Sequence, residues 1–251
     1  MKAMILAAGY GTRLRPLTES LPKPLLPLLG APLIVWNLLL LRQHGLTDVI
    51  INLHHLGHLI EKELGDGSRF DMRLSYSREP VVLGTGGGMK EVERFFGGEP
   101  FLVLNGDTVL ELDCQALIRF HTERGGLATM VVRDDPDVEQ WGAVEVDAQQ
   151  RVVSINGQGR GPASPTRAHQ RRMFAGVHVV HPRVLRDMPR GQESSIIDAY
   201  IRALVQGTMI LGYEMDGYWS DVGTPERYAK AQRDAQAGLI NLAARREANC
   251  P

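Results

Sequence analysis

The 251-residue chain contains only two cysteines, Cys114 and Cys250. Two such residues far apart cannot build a disulfide framework, and neither has a neighbour at metal-ligand spacing; the usage fits a reduced, cytoplasmic protein. Long apolar runs are also missing. The longest, from Ala31 to Leu41, is broken by Pro32 and Asn37 and falls short of the ~20 residues a membrane helix needs. Lys2 and the short apolar stretch after it end in a glycine turn, not in a signal-peptide cleavage site. No surplus of positive charge is present: 28 Lys and Arg stand against 29 Asp and Glu, which argues against a nucleic-acid partner. No persuasive Ser-His-Asp set and no internal repeat occur either. Two familiar phosphate loops are excluded as well. Gly-x4-Gly-Lys-Ser/Thr is absent, and the dinucleotide fingerprint fails at Leu14, where its third glycine belongs.

What is present is an ordinary globular composition, 43% apolar, in a chain long enough for one large α/β domain or two small ones. Ala3–Leu6, Asp48–Leu53, Met72–Tyr76 and Phe101–Leu104 read as strands, several of them near-continuously apolar. Between them, Leu33–His44 and Leu56–Leu64 read as helices closed by Gly45 and Gly65, and Met89–Phe96 as a helix after a glycine loop at Gly84–Gly88. A helix follows Asp113. Leu127–Val132, Ala143–Val146, Phe174–Val180 and Met209–Tyr213 then read as strands, with helices at Ile196–Gln206 and Pro225–Gln236. Repeated βα units predict an α/β fold with a Rossmann-like, mixed, mainly parallel sheet covered by helices on both faces. Asn156–Arg172, with its glycines, prolines and four arginines, reads as a solvated mobile loop, or alternatively as a basic flap over substrate phosphates.

The chemistry concentrates after the first strand, in Leu6-Ala7-Ala8-Gly9-Tyr10-Gly11-Thr12-Arg13-Leu14-Arg15-Pro16-Leu17-Thr18 and then Pro22-Lys23-Pro24. Small residues in such a turn let backbone N–H groups approach phosphate oxygens closely. Arg13 and Lys23 add a guanidinium fork and a point charge beside them. Asp107, in Asn105-Gly106-Asp107, falls at the carboxyl end of a buried strand, where α/β proteins bind ligands. Asp221 precedes Val222-Gly223-Thr224-Pro225, where Thr224 can cap a helix that has Pro225 at its first position.

Gly-x-Gly-Thr-Arg-Leu-x-Pro-Leu-Thr followed by Pro-Lys-Pro closely resembles the signature of the sugar-1-phosphate nucleotidylyltransferases, or NDP-sugar pyrophosphorylases, and the likeness runs from Met1 to about Arg233. The resemblance implies a single nucleotidyltransferase domain over 1–251. Residues 1–125 would form its nucleotide-binding half, 126–237 its sugar-phosphate half and 238–251 a tail. It implies transfer of a nucleotidyl group from a nucleoside triphosphate to a sugar 1-phosphate. By that likeness Arg13 and Lys23 are catalytic and Asp107 and Asp221 hold Mg²⁺. Leu6, Ala7, Ala8, Gly9, Gly11, Thr12, Leu83, Gly84, Thr85, Gly86, Asn105 and Gly106 bind the nucleotide, and Gly142, Gly176 and Val177 line the sugar side. Thr85 also reads as a helix cap. The sugar phosphate is dianionic near neutrality, so its attack needs no general base.

Many relatives carry Glu-Lys-Pro on the sugar phosphate where this chain reads Ile155-Asn156-Gly157-Gln158, so that anchor is missing here. None of the hexapeptide repeats of a β-helix occurs, and the second domain that some relatives build from them is not expected. Asp216-Gly217-Tyr218-Trp219 and Leu104-Asn105-Gly106-Asp107-Thr108 are similar to the branch that joins GTP to mannose 1-phosphate. The Thr-Gly-Gly-Gly segment and the lost Glu-Lys-Pro look like the branch that joins UTP to N-acetylmuramate 1-phosphate. A non-catalytic, nucleotide-sugar-binding regulatory homologue is the alternative of another class. It would be marked by loss of Arg13, Lys23 or either aspartate, and all four are present. A cytidylyl- or adenylyltransferase with a non-sugar acceptor is a third option. No membrane partner is expected, and a homo-oligomer stays open.

Overall fold

The computed structural model describes residues 1–159 and 169–241. The chain divides into two compact units, each assembled from separated stretches of sequence. The first comprises Met1–Val82, Leu104–Cys114 and Gly217–Pro251, the second Leu83–Val103 and Gln115–Asp216.

In the first unit the strands Ala3–Leu6, Asp48–Leu53 and Arg73–Arg78 form a parallel ladder. Leu6 lies opposite Asn52, and Asn52 opposite Ser77, so all three strands end at one edge. Ala3, Met4, Ile5, Val49 and Ile51 are fully buried, as near-continuous apolar strands in a parallel sheet require. Helix Leu33–Gln43 starts after Pro32 and is buried without a break from Leu33 to Leu41, which makes it a core element and not a surface amphipathic helix. The two polar-capable side chains of that buried run are satisfied inside: Trp36 Nε1 donates to Leu28 O at 3.0 Å and Asn37 Nδ2 to Asn105 O at 3.3 Å. Helices Gly57–Leu64 and Pro225–Gln236 complete the α/β pattern, the second capped by Thr224, whose hydroxyl accepts from Arg227 N. A short antiparallel ribbon, Thr108–Leu110 against Trp219–Asp221, was not foreseen from the sequence.

The second unit is mostly antiparallel. Its long strand Gln170–Val180 pairs with Ala128–Arg133 and with Ala143–Val146, and the ladder extends to Val152–Ile155. Ile210–Glu214 adds a parallel edge beside Ala128–Arg133. Both units therefore realise the expected α/β class, the parallel βα pattern in the first and antiparallel pairing dominating the second.

Three local expectations are corrected. Gly84–Gly88 is not a loop but the opening of the helix Gly84–Glu91. A Cβ at Gly84 would come within 2.7 Å of Ser194 O, and one at Gly87 would collide with Gln192 O, so the glycines admit a neighbouring backbone segment. Close packing overrides glycine's poor helix propensity. Thr85 does not cap this helix; its hydroxyl accepts from Ile196 N at 3.0 Å. The third correction concerns Asn156–Arg172, of which residues 160–168 lie outside the described residues. Asn156 and Gly157, both at positive φ, form the two-residue tip of a hairpin that pairs Ile155 with Gln158. At the other end Gln170–Arg172 are strand, with Arg171 paired to Glu139 and Arg172 to Glu214. These two arginines are spoken for.

The core of the second unit holds one consequential polar pair. Tyr200 hydroxyl lies 2.6 Å from His178 Nδ1, and both residues are buried. Burial pushes the imidazole down to about 3 and the phenol up, so a neutral ring and a neutral hydroxyl share the hydrogen bond. Unfolding restores an ordinary histidine near 6.5, which binds a proton that the folded state refuses. Stability is therefore full above about pH 6.5 and falls with decreasing pH until about 3, with a limiting slope of about 1.4 kcal/mol per pH unit from this residue. Urea titrations between pH 7.5 and 4.5 should show that decline. In His178→Gln, destabilised at neutral pH, it should be shallower by about one proton, and equal slopes in both proteins would refute the assignment.

Candidate active site

Parallel strands that stop together leave their carboxyl ends as a shelf, and the signature loop crosses that shelf in the first unit. Leu6, Ala7, Gly9, Tyr10, Gly11, Thr12 and Arg13 line a pocket of about 320 Å³ together with Lys23, Pro24, Asp107 and Gly223. Two polar residues inside the shelf hold the loop's root. Ala7 N–H donates to Asn52 Oδ1 at 2.9 Å, and Asn52 Nδ2 donates to Glu79 Oε1 at 2.8 Å. Asn52 and Glu79 are both buried near the carboxyl ends of their strands. Asn52, a polar residue late in an otherwise apolar strand, was a signal available in the sequence and was passed over.

Gly11 sits at φ +65°, a conformation that an L side chain rarely adopts, and its carbonyl accepts from Thr18 Oγ1 at 2.7 Å. The chain then enters the short 3₁₀ turn Thr12–Leu14, which leaves Arg13 exposed. Lys23 begins a second such turn between Pro22 and Pro24 and is 9% exposed. A lysine this buried needs a partner, and Asp107 supplies it: Lys23 Nζ and Asp107 Oδ2 form an ion pair across 84 residues of sequence.

Backbone pairing brings the second carboxylate to the same place. Asp221 lies opposite Thr108 in the ribbon, and Val222 N–H donates to Asp107 O at 3.0 Å. Asp107 and Asp221 thus stand one register step apart at one end of a two-stranded ladder. Arg227 Nη1 donates to Asp221 Oδ1 at 3.1 Å. Gly223 is the tight point: a Cβ there would collide with Asp221 Oδ1 and lie 3.0 Å from Arg13 Nη2. The absence of a side chain at 223 is what lets Arg13 and Asp221 share that corner. Gly106 does the same for the strand ends, since a Cβ would sit 2.9 Å from Leu6 O while Gly106 N–H donates to that same oxygen. Neither Arg227 nor Gly223 was singled out from sequence, although Gly223 lies within the Asp221 motif and Arg227 shortly after it.

The remaining predicted residues have identifiable local surroundings. Ala8 is buried within the loop, and Asn105 closes its strand with its carbonyl bonded to Asn37. Leu83, Gly84, Thr85 and Gly86 belong to the second unit and are tied to the segment 192–196, with Ser194 N–H donating to Leu83 O and Gly86 N–H to Ser194 O. Gly142, at φ +88°, stands so close to Asn156 that a Cβ would be 2.5 Å from its Oδ1. Gly176 and Val177 occupy the irregular stretch of their strand between Phe174 and His178.

Among the described residues no group of three or more His, Cys, Asp or Glu is placed to hold a metal by itself. Asp107 lines the pocket and Asp221 abuts Gly223 in its wall, and two carboxylates are the donor set that a hard cation takes when phosphate oxygens complete its shell. The residues present therefore fit Mg²⁺ carried in with a polyphosphate. Among the described residues no helix is long and apolar enough to cross a membrane.

Comparison with known proteins agrees with this geometry. Residues 2–238 match the nucleotidyl transferase family. A UTP–glucose-1-phosphate uridylyltransferase of Synechocystis is 34% identical over 93% of this chain, and a mannose-1-phosphate guanylyltransferase of Mycobacterium tuberculosis 33% over 94%. The chain spans only 63% and 65% of those two proteins. An N-acetylmuramate alpha-1-phosphate uridylyltransferase of Neisseria meningitidis is 35% identical over 94% of this chain and 99% of its own length. Among solved structures, one from Bacillus anthracis named as a glucose-1-phosphate thymidylyltransferase superposes with a TM-score of 0.80 at 25% identity, covering 94% of this chain and 95% of its own. The fold is that of the nucleotide-diphospho-sugar transferases, and the chain belongs to the nucleotidyl transferase family.

Proposed function

We propose that the pocket of the first unit binds a nucleoside triphosphate and that the protein transfers its nucleotidyl group to a sugar 1-phosphate, releasing pyrophosphate. The observation that carries this reading is the Lys23–Asp107 ion pair set in the wall of a glycine-loop pocket beside Arg13. A phosphate oxygen of the acceptor attacks the α-phosphorus, a new P–O bond forms, and the bond to the β-phosphate oxygen breaks. The acceptor oxygen is already anionic, so no side chain has to remove a proton. What the protein must supply is positioning and charge.

Lys23 carries three N–H donors, of which Asp107 takes one direction and leaves the others for phosphate oxygens. The partly buried carboxylate fixes that ammonium, so little reorganisation is left for the reacting state. Arg13, free of a Cβ obstacle at Gly223, offers its fork to the outer phosphates and to the leaving pyrophosphate. Asp107 and Asp221 would hold Mg²⁺, which when bound screens the repulsion between the two anions. Leu83–Gly86 on the base and Gly142, Gly176 and Val177 on the sugar are assignments supported by the family pattern. A protein fed by nucleoside triphosphate and sugar phosphate works where both are made, in the cytoplasm.

For the substrates, mannose 1-phosphate with GTP is the pair favoured by the Asp216–Trp219 and Leu104–Thr108 patterns. N-acetylmuramate 1-phosphate with UTP is the second reading, favoured by the end-to-end match to the Neisseria relative and by the Asn156-Gly157 hairpin tip that replaces Glu-Lys-Pro. Pyrophosphate release measured for GTP, UTP, dTTP, CTP and ATP against mannose, glucose and N-acetylmuramate 1-phosphates decides between them. One pair should exceed the others in kcat/KM by about 10²-fold. Calorimetric binding of nucleotide-sugar with no pyrophosphate from any pair would instead favour a regulatory binder.

Lys23→Ala and Asp107→Asn should each lower kcat/KM by about 10²–10³-fold with the preferred pair. Near-normal turnover in both would sink the mechanism. Gly223→Ala, which forces Asp221 and Arg13 apart, should cost about 10²-fold in kcat while circular dichroism shows the fold intact.

A further inference from the structure

The glycine loop is held by side chains outside the signature. Tyr10 follows Gly9 in the pocket wall and is 47% exposed. Its ring stands edge-on to His54, with centroids 5.3 Å apart and planes at 86°, and tilts against His55 at 5.8 Å and 45°. Its hydroxyl lies 3.2 Å from His54 Nε2, and the opposite ring nitrogen, Nδ1, lies 2.8 Å from Glu79 O. A carbonyl can only accept, so Nδ1 carries the proton. Nε2 faces the Tyr10 hydroxyl as its hydrogen-bond partner.

A parallel tether runs through the next histidine. His55 Nε2 donates to Thr18 O at 3.4 Å, and Thr18 Oγ1 donates to Gly11 O at 2.7 Å. Thr18 is 1% exposed, so this link is internal. Consecutive loop residues, Tyr10 and Gly11, are thus both tied to the dipeptide that follows the strand Asp48–Leu53. An exposed tyrosine ordinarily samples several rotamers. Two imidazoles and one hydrogen bond hold this one against the pocket, and in doing so hold the loop whose residues line it. Preorganisation of that kind acts on binding, because the ordering cost is met before the ligand arrives.

We propose that Tyr10, locked by His54 and His55, is a positioning residue that presets the Gly9–Arg13 loop for the polyphosphate chain of the nucleotide. This deepens the nucleotidyl-transfer reading and rests on it. Acting through the loop, Tyr10 affects every polyphosphate ligand alike, whether or not it carries a base.

Isothermal titration calorimetry with inorganic tripolyphosphate and with the preferred nucleoside triphosphate separates the possibilities. Tyr10→Ala should weaken both by a similar factor of about ten, and raise KM for the nucleotide by about as much while kcat falls less than about threefold. Tyr10→Phe, which keeps the ring and loses the hydroxyl, should show about a third of that effect. His54→Leu should behave like Tyr10→Phe or worse, and His54→Gln, which keeps an acceptor for the hydroxyl, should recover most of the loss. A Tyr10→Ala defect confined to the nucleotide and sparing tripolyphosphate would overturn the proposal, because Tyr10 would then be reading the base. Unaltered affinity for both ligands would overturn it as well. If the unsubstituted protein binds neither ligand, nucleotide binding itself is refuted, an outcome distinct from the other two.

Discussion

Everything the pocket can do depends on a lysine taken almost out of water and the aspartate that makes this tolerable. Lys23 alone, at 9% exposure, would be a polar group almost out of water with no partner. Paired with Asp107 it is held at a fixed point, and the carboxylate is held in turn. The pair contributes little net stability, since desolvation of both groups offsets their attraction. Its value is placement: a cation that cannot wander, beside a loop of backbone donors. The second acidic group repeats the arrangement, with Arg227 on Asp221.

Around this pair the architecture is set by where side chains are missing. Gly223 leaves room for Arg13 next to Asp221, Gly106 lets two strand ends touch, and Gly84–Gly87 let a helix opening press onto the segment 192–196. Each is a close approach, of side chains at Gly223 and of main chain at the others, that a methyl group would prevent. The glycines of this chain thus serve two physical purposes: a few turn the main chain, and others bring main chains together. Sequence inspection sees the composition and cannot tell which purpose applies.

That distinction explains how much could be read in advance. Strand and helix positions in the first unit were legible because apolar runs and the punctuation at Gly45 and Gly65 are local signals, and the signature loop was legible because its residues are contiguous. The partnership of Lys23 with Asp107 was not, because it is created by strand order over 84 residues. The ribbon that joins Asp107 to Asp221 was missed because each strand has only three residues, too few to show a period. Gly84–Gly88 was misread as a loop because local propensity favoured one and packing decided otherwise. Asn156-Gly157 was taken as the start of an irregular stretch although Asn-Gly is a strong hairpin signal, and the prolines and arginines downstream drew attention from it.

The first unit is stitched from three pieces of chain, the last of which begins at Gly217. A ribosome therefore releases the glycine loop, Lys23 and Asp107 long before it releases Trp219–Asp221, Gly223 and the helix that carries Arg227. During that interval the acidic turn after Asn105 has no ribbon partner, and Arg13 has no floor beneath it. The pocket is closed only by the last of the three pieces. A nascent chain halted anywhere before Gly223 holds most of the signature yet lacks the residue that closes the pocket wall.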